Sequence, residues 1–133
     1  MPDALTAKQV GDLAKQFTEL ATIVQGYQQA NCNSMSSAEY KRIAFLICDL
    51  SDISNDLINK AVGIIIANAQ KSVTDIEKAT TQAKAAIGHL KDIQHTISLL
   101  TAVVGLGTAI MTGNVTAIIP SIANVIAQSQ SQS

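Results

Sequence analysis

The sequence predicts an all-α protein: an elongated antiparallel bundle of three long helices and one short C-terminal helix, in a single domain spanning residues 1–133. Three observations carry this reading. Apolar side chains recur at alternating steps of three and four, the period of one helix face. Ser or Thr stands three residues ahead of Gln or Glu at the expected starts of the first two helices, the spacing of a helix-capping box. No stretch alternates apolar and polar residues as a half-buried strand does. A chain of 133 residues can bury about two thirds of its unfolded surface, enough for one aliphatic core.

The first helix is expected to begin after Thr6, where Thr6-Ala-Lys-Gln9 has capping-box spacing, and to carry the stripe Val10, Leu13, Phe17, Leu20, Val24 and Tyr27. Polar residues from Gln28 to Ser37 end it. The second is expected to start at Ser36, with Ser36-Ser-Ala-Glu39 as its cap, and to reach about Gln70. Its stripe is Ile43, Leu46, Leu50, Ile53, Leu57 and Ile64. Two segments of it, Ile43–Cys48 and Ala61–Ala67, are apolar all round and therefore call for neighbours on more than one face. Ser72-Val-Thr-Asp75 suggests a third start, with Val73 to about Val104 as one helix whose seam is Ile76, Ala79, Ala83, Ala86, Leu90, Ile93, Ile97, Leu100 and Val104. Gly113-Asn114 is a stop and turn signal. The short helix runs from Val115 to Gln128 with Pro120 near its start, and 129–133 is a flexible tail.

Charge divides the chain sharply. All 9 basic and all 10 acidic side chains precede Ile93, so charged helices over 5–92 are followed by an uncharged apolar hairpin over 93–128, apolar on every side. Water around such a segment would forfeit about 1.5–3 kcal/mol for each Ile, Leu or Val left exposed. The hairpin must be buried as a central part of the bundle, or covered by self-association, by a helical protein partner, or by a membrane. The residues expected to make that contact are Leu99, Leu100, Val103, Val104, Leu106, Ile110, Ile118, Ile119, Ile122 and Ile126. Gly105, Gly107 and Gly113 are expected to let the hairpin bend or pack closely.

Other function classes lack their chemistry. A net charge of −1 and a single adjacent basic pair, Lys41-Arg42, give no basic face for nucleic acid. Two Phe, two Tyr and no Trp leave little to stack on bases or sugars. His89 and His95, six residues apart, fall on different faces of one helix and do not share a metal. Asp49, Asp52 and Asp56 form a carboxylate stripe that reads as a solvated face, with Lys60 placed to pair with Asp56. Cys32 and Cys48 read as free thiols, Cys48 as a small hydrophobe. Gly105-Leu-Gly107 follows a helix and lacks the Lys of a phosphate loop. No cofactor is implied and no enzymatic activity is expected. The N-terminus lacks the pattern of a secretory signal, so the expected location is cytoplasmic, or outside the cell by export without a signal peptide, or at a membrane.

The seams over Val10–Tyr27, Ile43–Ile64 and Ile76–Leu100, with the Gly-containing hairpin Ile97–Ala127, resemble the architecture of α-helical pore-forming toxins of the cytolysin A and haemolysin BL type. That resemblance implies a head that enters a membrane. The chain is much shorter than those toxins, and no long charged helix follows the hairpin. The expected function is a non-enzymatic helical interaction module acting through the hairpin. The alternative is a helical carrier that holds a lipid or other apolar ligand in its core.

Overall fold

In the computed structural model the described residues are 3–59, 65–66, 69–87 and 92–130, and they are helical apart from short caps and turns and one two-residue pairing. Five helices appear: α1 (Ala7–Asn31), α2 (Ser37–Asn59), α3 (Ala69–Ile87), α4 (Ile93–Thr112) and α5 (Val115–Gln130). The pairing joins β1 (Asp3–Ala4) to β2 (Ile65–Ile66), antiparallel, with Asp3 opposite Ile66.

Both capping boxes form. Gln9 N donates to Thr6 Oγ1 at 3.1 Å while Thr6 N donates to Gln9 Oε1 at 2.9 Å. Glu39 N donates to Ser36 Oγ at 3.1 Å and Ser36 N to Glu39 Oε1 at 2.8 Å. α1 runs to Asn31, past its last stripe residue, and a short 3₁₀ turn over Cys32–Ser34 leads to α2. The α2 stripe from Ile43 to Leu57 is buried as its spacing demands.

Three boundaries differ from the sequence expectation. α2 is described as helix to Asn59 and does not run unbroken to Gln70, because Ile65–Ile66 is extended. Consecutive β-branched residues are stiff at χ1 and suit an extended backbone better than a helix; Ile64 and most of the all-round apolar segment lie outside the described residues. The helix expected over Val73–Val104 is two helices. α3 starts at Ala69, ahead of the expected Ser72 cap, and ends at Ile87; α4 begins at Ile93 behind the cap residue Asp92, whose Oδ1 accepts from Gln94 N at 3.0 Å. An extended Asp at this position satisfies a first-turn amide that would otherwise be unpaired. α5 continues to Gln130, taking in the first two residues of the expected tail.

Interhelical hydrogen bonds fix the packing. Ser54 Oγ meets Ala14 O at 2.9 Å and Thr18 Oγ1 at 2.7 Å, and Gln28 Nε2 donates to Tyr40 O at 3.1 Å, so α1 and α2 run antiparallel. Gln94 bonds Glu39 and Arg42 reaches Thr101, which sets α4 alongside α2 in the same direction. His95 Nε2 lies 2.9 Å from Gln128 O across the α4–α5 hairpin. Ser129 lies beside Gln82, and Lys84 Nζ donates to Gln16 Oε1 at 2.6 Å and Glu19 Oε2 at 2.9 Å, so α3 closes against both α5 and α1. The helices form a ring in the order α1, α2, α4, α5, α3. Across its centre Phe17 and Ile53 approach Gly107, and Tyr27 Oη lies 3.1 Å from Thr96 Oγ1.

A Cβ at Gly107 would stand 2.7 Å from Ile53 Cδ1 and 3.2 Å from Phe17 Cε1, whereas one at Gly105 would meet nothing within 4 Å. Alanine at a free helix-interior glycine gains about 0.5–1 kcal/mol; overpacking a filled core costs about 1–3 kcal/mol. Thermal unfolding is therefore expected to show Gly105→Ala raising Tm and Gly107→Ala lowering it. An equal rise in both would refute the close packing at Gly107.

Candidate functional site: the uncharged α4–α5 face

The hairpin named by the sequence is formed by α4 and α5, joined at a defined turn. Gly113 has φ 65°, and its N–H bonds Ile110 O at 3.0 Å while Asn114 N bonds Ala109 O at 3.1 Å, the paired bonds of a Schellman cap. Asn114 O then accepts from Ala117 N and Ile118 N to open α5. Gly113 supplies the left-handed residue that the turn requires.

The ten contact residues divide in two. Leu99, Leu100, Val103, Leu106, Ile110 and Ile118 are buried in the core of this one chain. Val104, Ile122 and Ile126 are half-buried, packed against the core from outside, and Ile119 is 65 % exposed. Gly107 is inside and Gly105 outside. The six core residues already have the cover the sequence demanded; the surface that remains is narrower than the whole hairpin.

α4 is also not apolar on every side. Its outer stripe is Gln94, Ser98, Thr101, Gly105, Thr108 and Thr112, all exposed, small or polar and without charge. Thr101 Oγ1 donates to Ile97 O at 2.8 Å, Thr108 Oγ1 to Val104 O at 3.0 Å and Thr112 Oγ1 to Ala109 O at 3.0 Å. Hydroxyls bonded to their own helix carbonyls do not depend on water for a partner. Among the described residues α4 is the one helix long and apolar enough to cross a membrane, with mean hydropathy 1.5 and half of its apolar window buried. Length and composition alone say that much, and a buried core helix satisfies the same test.

No family model, curated protein or solved structure matches the chain. The reading of the site therefore rests on its own chemistry.

Arg42, in the sequence only half of the adjacent basic pair Lys41-Arg42, gains a place beside the hairpin. It stands where α2 borders the uncharged face, in a groove of about 370 Å³ also lined by Ser98, Thr101, Gly105, Ser121 and Asn124. An adjoining groove of about 460 Å³ includes Ser36, Glu39, Gln94 and Ile97. Arg42 Nη2 reaches Thr101 Oγ1 only at 3.5 Å, and no carboxylate among the described residues pairs with it. The available signal was its position three residues after Glu39 at the start of α2, but nothing in the spacing placed α4 beside it.

The other candidates stay apart. His95 is half-buried and held by Gln128 O, while His89 and Lys60 lie outside the described residues. Asp52 and Asp56 are exposed and Asp49 is partly so; none forms an ion pair among the described residues. No group of three His, Cys, Asp or Glu among the described residues could hold a metal ion. Cys32 and Cys48 are free and both are exposed. Cys48, expected to act as a small hydrophobe, is not buried: it sits opposite the buried Ile43–Leu46–Leu50 stripe.

Two carboxylates tie the charged helices to their neighbours. The hydrogen bond and then the charge of Lys84 hold the Glu19 carboxyl below the ordinary glutamate range. The Ser36 backbone N–H, followed by the Gln94 amide, does the same for Glu39. A lowered folded-state pKa contributes stability present above the ordinary value and lost as pH falls through the lowered one. Acid titration of unfolding is therefore expected to weaken the protein across that window, and Glu19→Gln with Glu39→Gln to flatten the slope. An unchanged slope in the double variant would show that neither contact carries it.

Proposed function

We propose that this chain is a non-enzymatic helical interaction module, an elongated up-and-down bundle that docks through the outer face of its α4–α5 hairpin. The observation that carries this reading is an exposed surface with no charged residue, on which the Thr hydroxyls are bonded within the helix and Ile119 stands open. Such a face loses little on leaving water, because the hairpin itself carries no ion to desolvate, Arg42 standing at its α2 border, and few polar groups on α4 are left without partners. Small residues along Ser98, Thr101, Gly105 and Thr108 admit a partner helix at close range.

The choice among partners follows from where the apolar residues sit. Whole-hairpin insertion, as the resemblance to pore-forming toxins implies, would withdraw six buried aliphatic residues from the core. Lipid would shield those six, but the α1 and α2 side chains that they cover would be left in water at about 1.5–3 kcal/mol each, a loss that rivals the total stability of an ordinary domain, about 5–15 kcal/mol. Docking a protein helix on the outer face leaves the core in place, so a helical partner or another copy is the favoured occupant, and a membrane requires the bundle to open. The carrier alternative needs a hollow core, and the tight layer of Phe17, Ile53 and Gly107 speaks for a filled one.

Liposome flotation and dye release, run beside light scattering, test the reading. Wild-type protein is expected to remain unbound to liposomes and to associate with itself or with a helical partner. Ile119→Asp, at an exposed site that tolerates the charge, is expected to reduce the association made through the hairpin face without changing the helical content. Leakage of dye with the bundle opened would replace docking by insertion, and lipid co-purifying with a monomer would favour the carrier.

A further inference from the structure

The outer face of α2 poses a separate problem. Its buried stripe leaves Lys41, Phe45, Cys48, Asp52 and Asn55 on the opposite side, every one exposed, at steps of four, three, four and three. Phe45 is 63 % exposed, although the all-round apolar segment Ile43–Cys48 called for a neighbour here. No helix of the ring covers it. The charges on this face are sorted along it: Lys41 and Arg42 lie on the N-terminal side of Phe45 and Cys48, and Asp49, Asp52 and Asp56 on the C-terminal side. None of the five is in an ion pair among the described residues.

We infer that this face is a homodimer interface, in which two copies of the chain pack α2 against α2, antiparallel, about a two-fold axis at Cys48. A basic–apolar–acidic order is complementary to itself only when reversed. A parallel pairing would set Lys41 against Lys41 and Asp52 against Asp52, which like charges oppose. Centring the axis on Cys48 places Lys41 across from Asn55 of the other copy, between Asp52 and Asp56, and offset from them by about 4.5 Å and 1.5 Å along the helix. The two Phe45 rings then flank the two thiols as a small apolar centre, and the symmetry repeats every favourable pair twice. A net charge of −1 leaves little overall repulsion between copies. One helix per copy makes a small interface, so the dimer is reversible and depends on concentration.

Sedimentation equilibrium over a concentration series tests this, with circular dichroism confirming the fold of each variant. The mass is expected to rise from 14.0 kDa toward twice that value. Lys41→Glu with Arg42→Glu should weaken association by about tenfold, since several modest exposed pairs are lost at once. Adding Asp52→Lys and Asp56→Lys should restore it, which a merely unstable variant would not do. Oxidation with diamide should give a disulfide-linked dimer that Cys48→Ser removes and Cys32→Ser retains. Ile119→Asp should leave this dimer intact, which separates it from docking on the α4–α5 face. A monomer at every concentration, or a dimer indifferent to the α2 charge reversals, would overturn the inference. Loss of the dimer on Ile119→Asp alone would do the same and assign self-association to the hairpin.

Discussion

Closure of the ring depends on how near α4 can come to α1 and α2. At Gly107 the Ile53 methyls and the Phe17 ring stand 2.7–3.2 Å from where a Cβ would be, closer than ordinary contact, and a larger residue there would push them apart. On either side of this layer, Leu99, Val103, Leu106 and Ile110 fill the centre. α5 then folds back along α4 from the Gly113 turn, and α3 bridges α5 to α1. The uncharged segment is thus a structural wall of the bundle first, and the docking proposed for it involves only what the wall leaves outside.

Polar groups within the bundle are used to fix register. Ser54 is 3 % exposed, yet its hydroxyl is satisfied by Ala14 O and Thr18 on the facing helix. Gln28 reaches Tyr40 O, and Thr96 contacts both Tyr27 and its own helix. Aliphatic packing alone tolerates sliding of one helix past another; a buried hydroxyl without its partner costs about 1–3 kcal/mol, so these few bonds select one alignment. Charged contacts such as Lys84 with Glu19 lie nearer the rim, where solvent screening leaves them modest.

Surface chemistry also separates the two halves of the ring. α1, α2 and α3 carry the charges, whereas α4 and α5 present hydroxyls, glycine and isolated aliphatic groups. The two proposed contact faces follow this division: the hairpin face has no charge to specify orientation and relies on close approach, while the α2 face has its charges ordered and can specify direction. A protein with both could join like copies through one and a different helix through the other.

The sequence by itself determined the helical class, both capping boxes, the buried stripes of α1 and α2 and the Gly113 turn, because each depends on residues within one or two turns of each other. It also contained a sign of the break between α3 and α4 that the continuous spacing obscured. Of the seam extended through Ile93, Ile97, Leu100 and Val104 only Leu100 is buried, whereas the stripe that faces the core is Thr96, Leu99, Leu100, Val103, Leu106 and Ile110, and a new helix resets the phase. Phe45 likewise fell off the Ile43–Leu46–Leu50 phase, which marks it as outward-facing. What only the tertiary structure decided was which helices become neighbours. Periodicity states that a face must be covered and is silent on what covers it, because apolar burial has no direction. The ring order therefore determined that six hairpin residues are core, that Gly107 rather than Gly105 is the close approach, and that Arg42 stands beside α4.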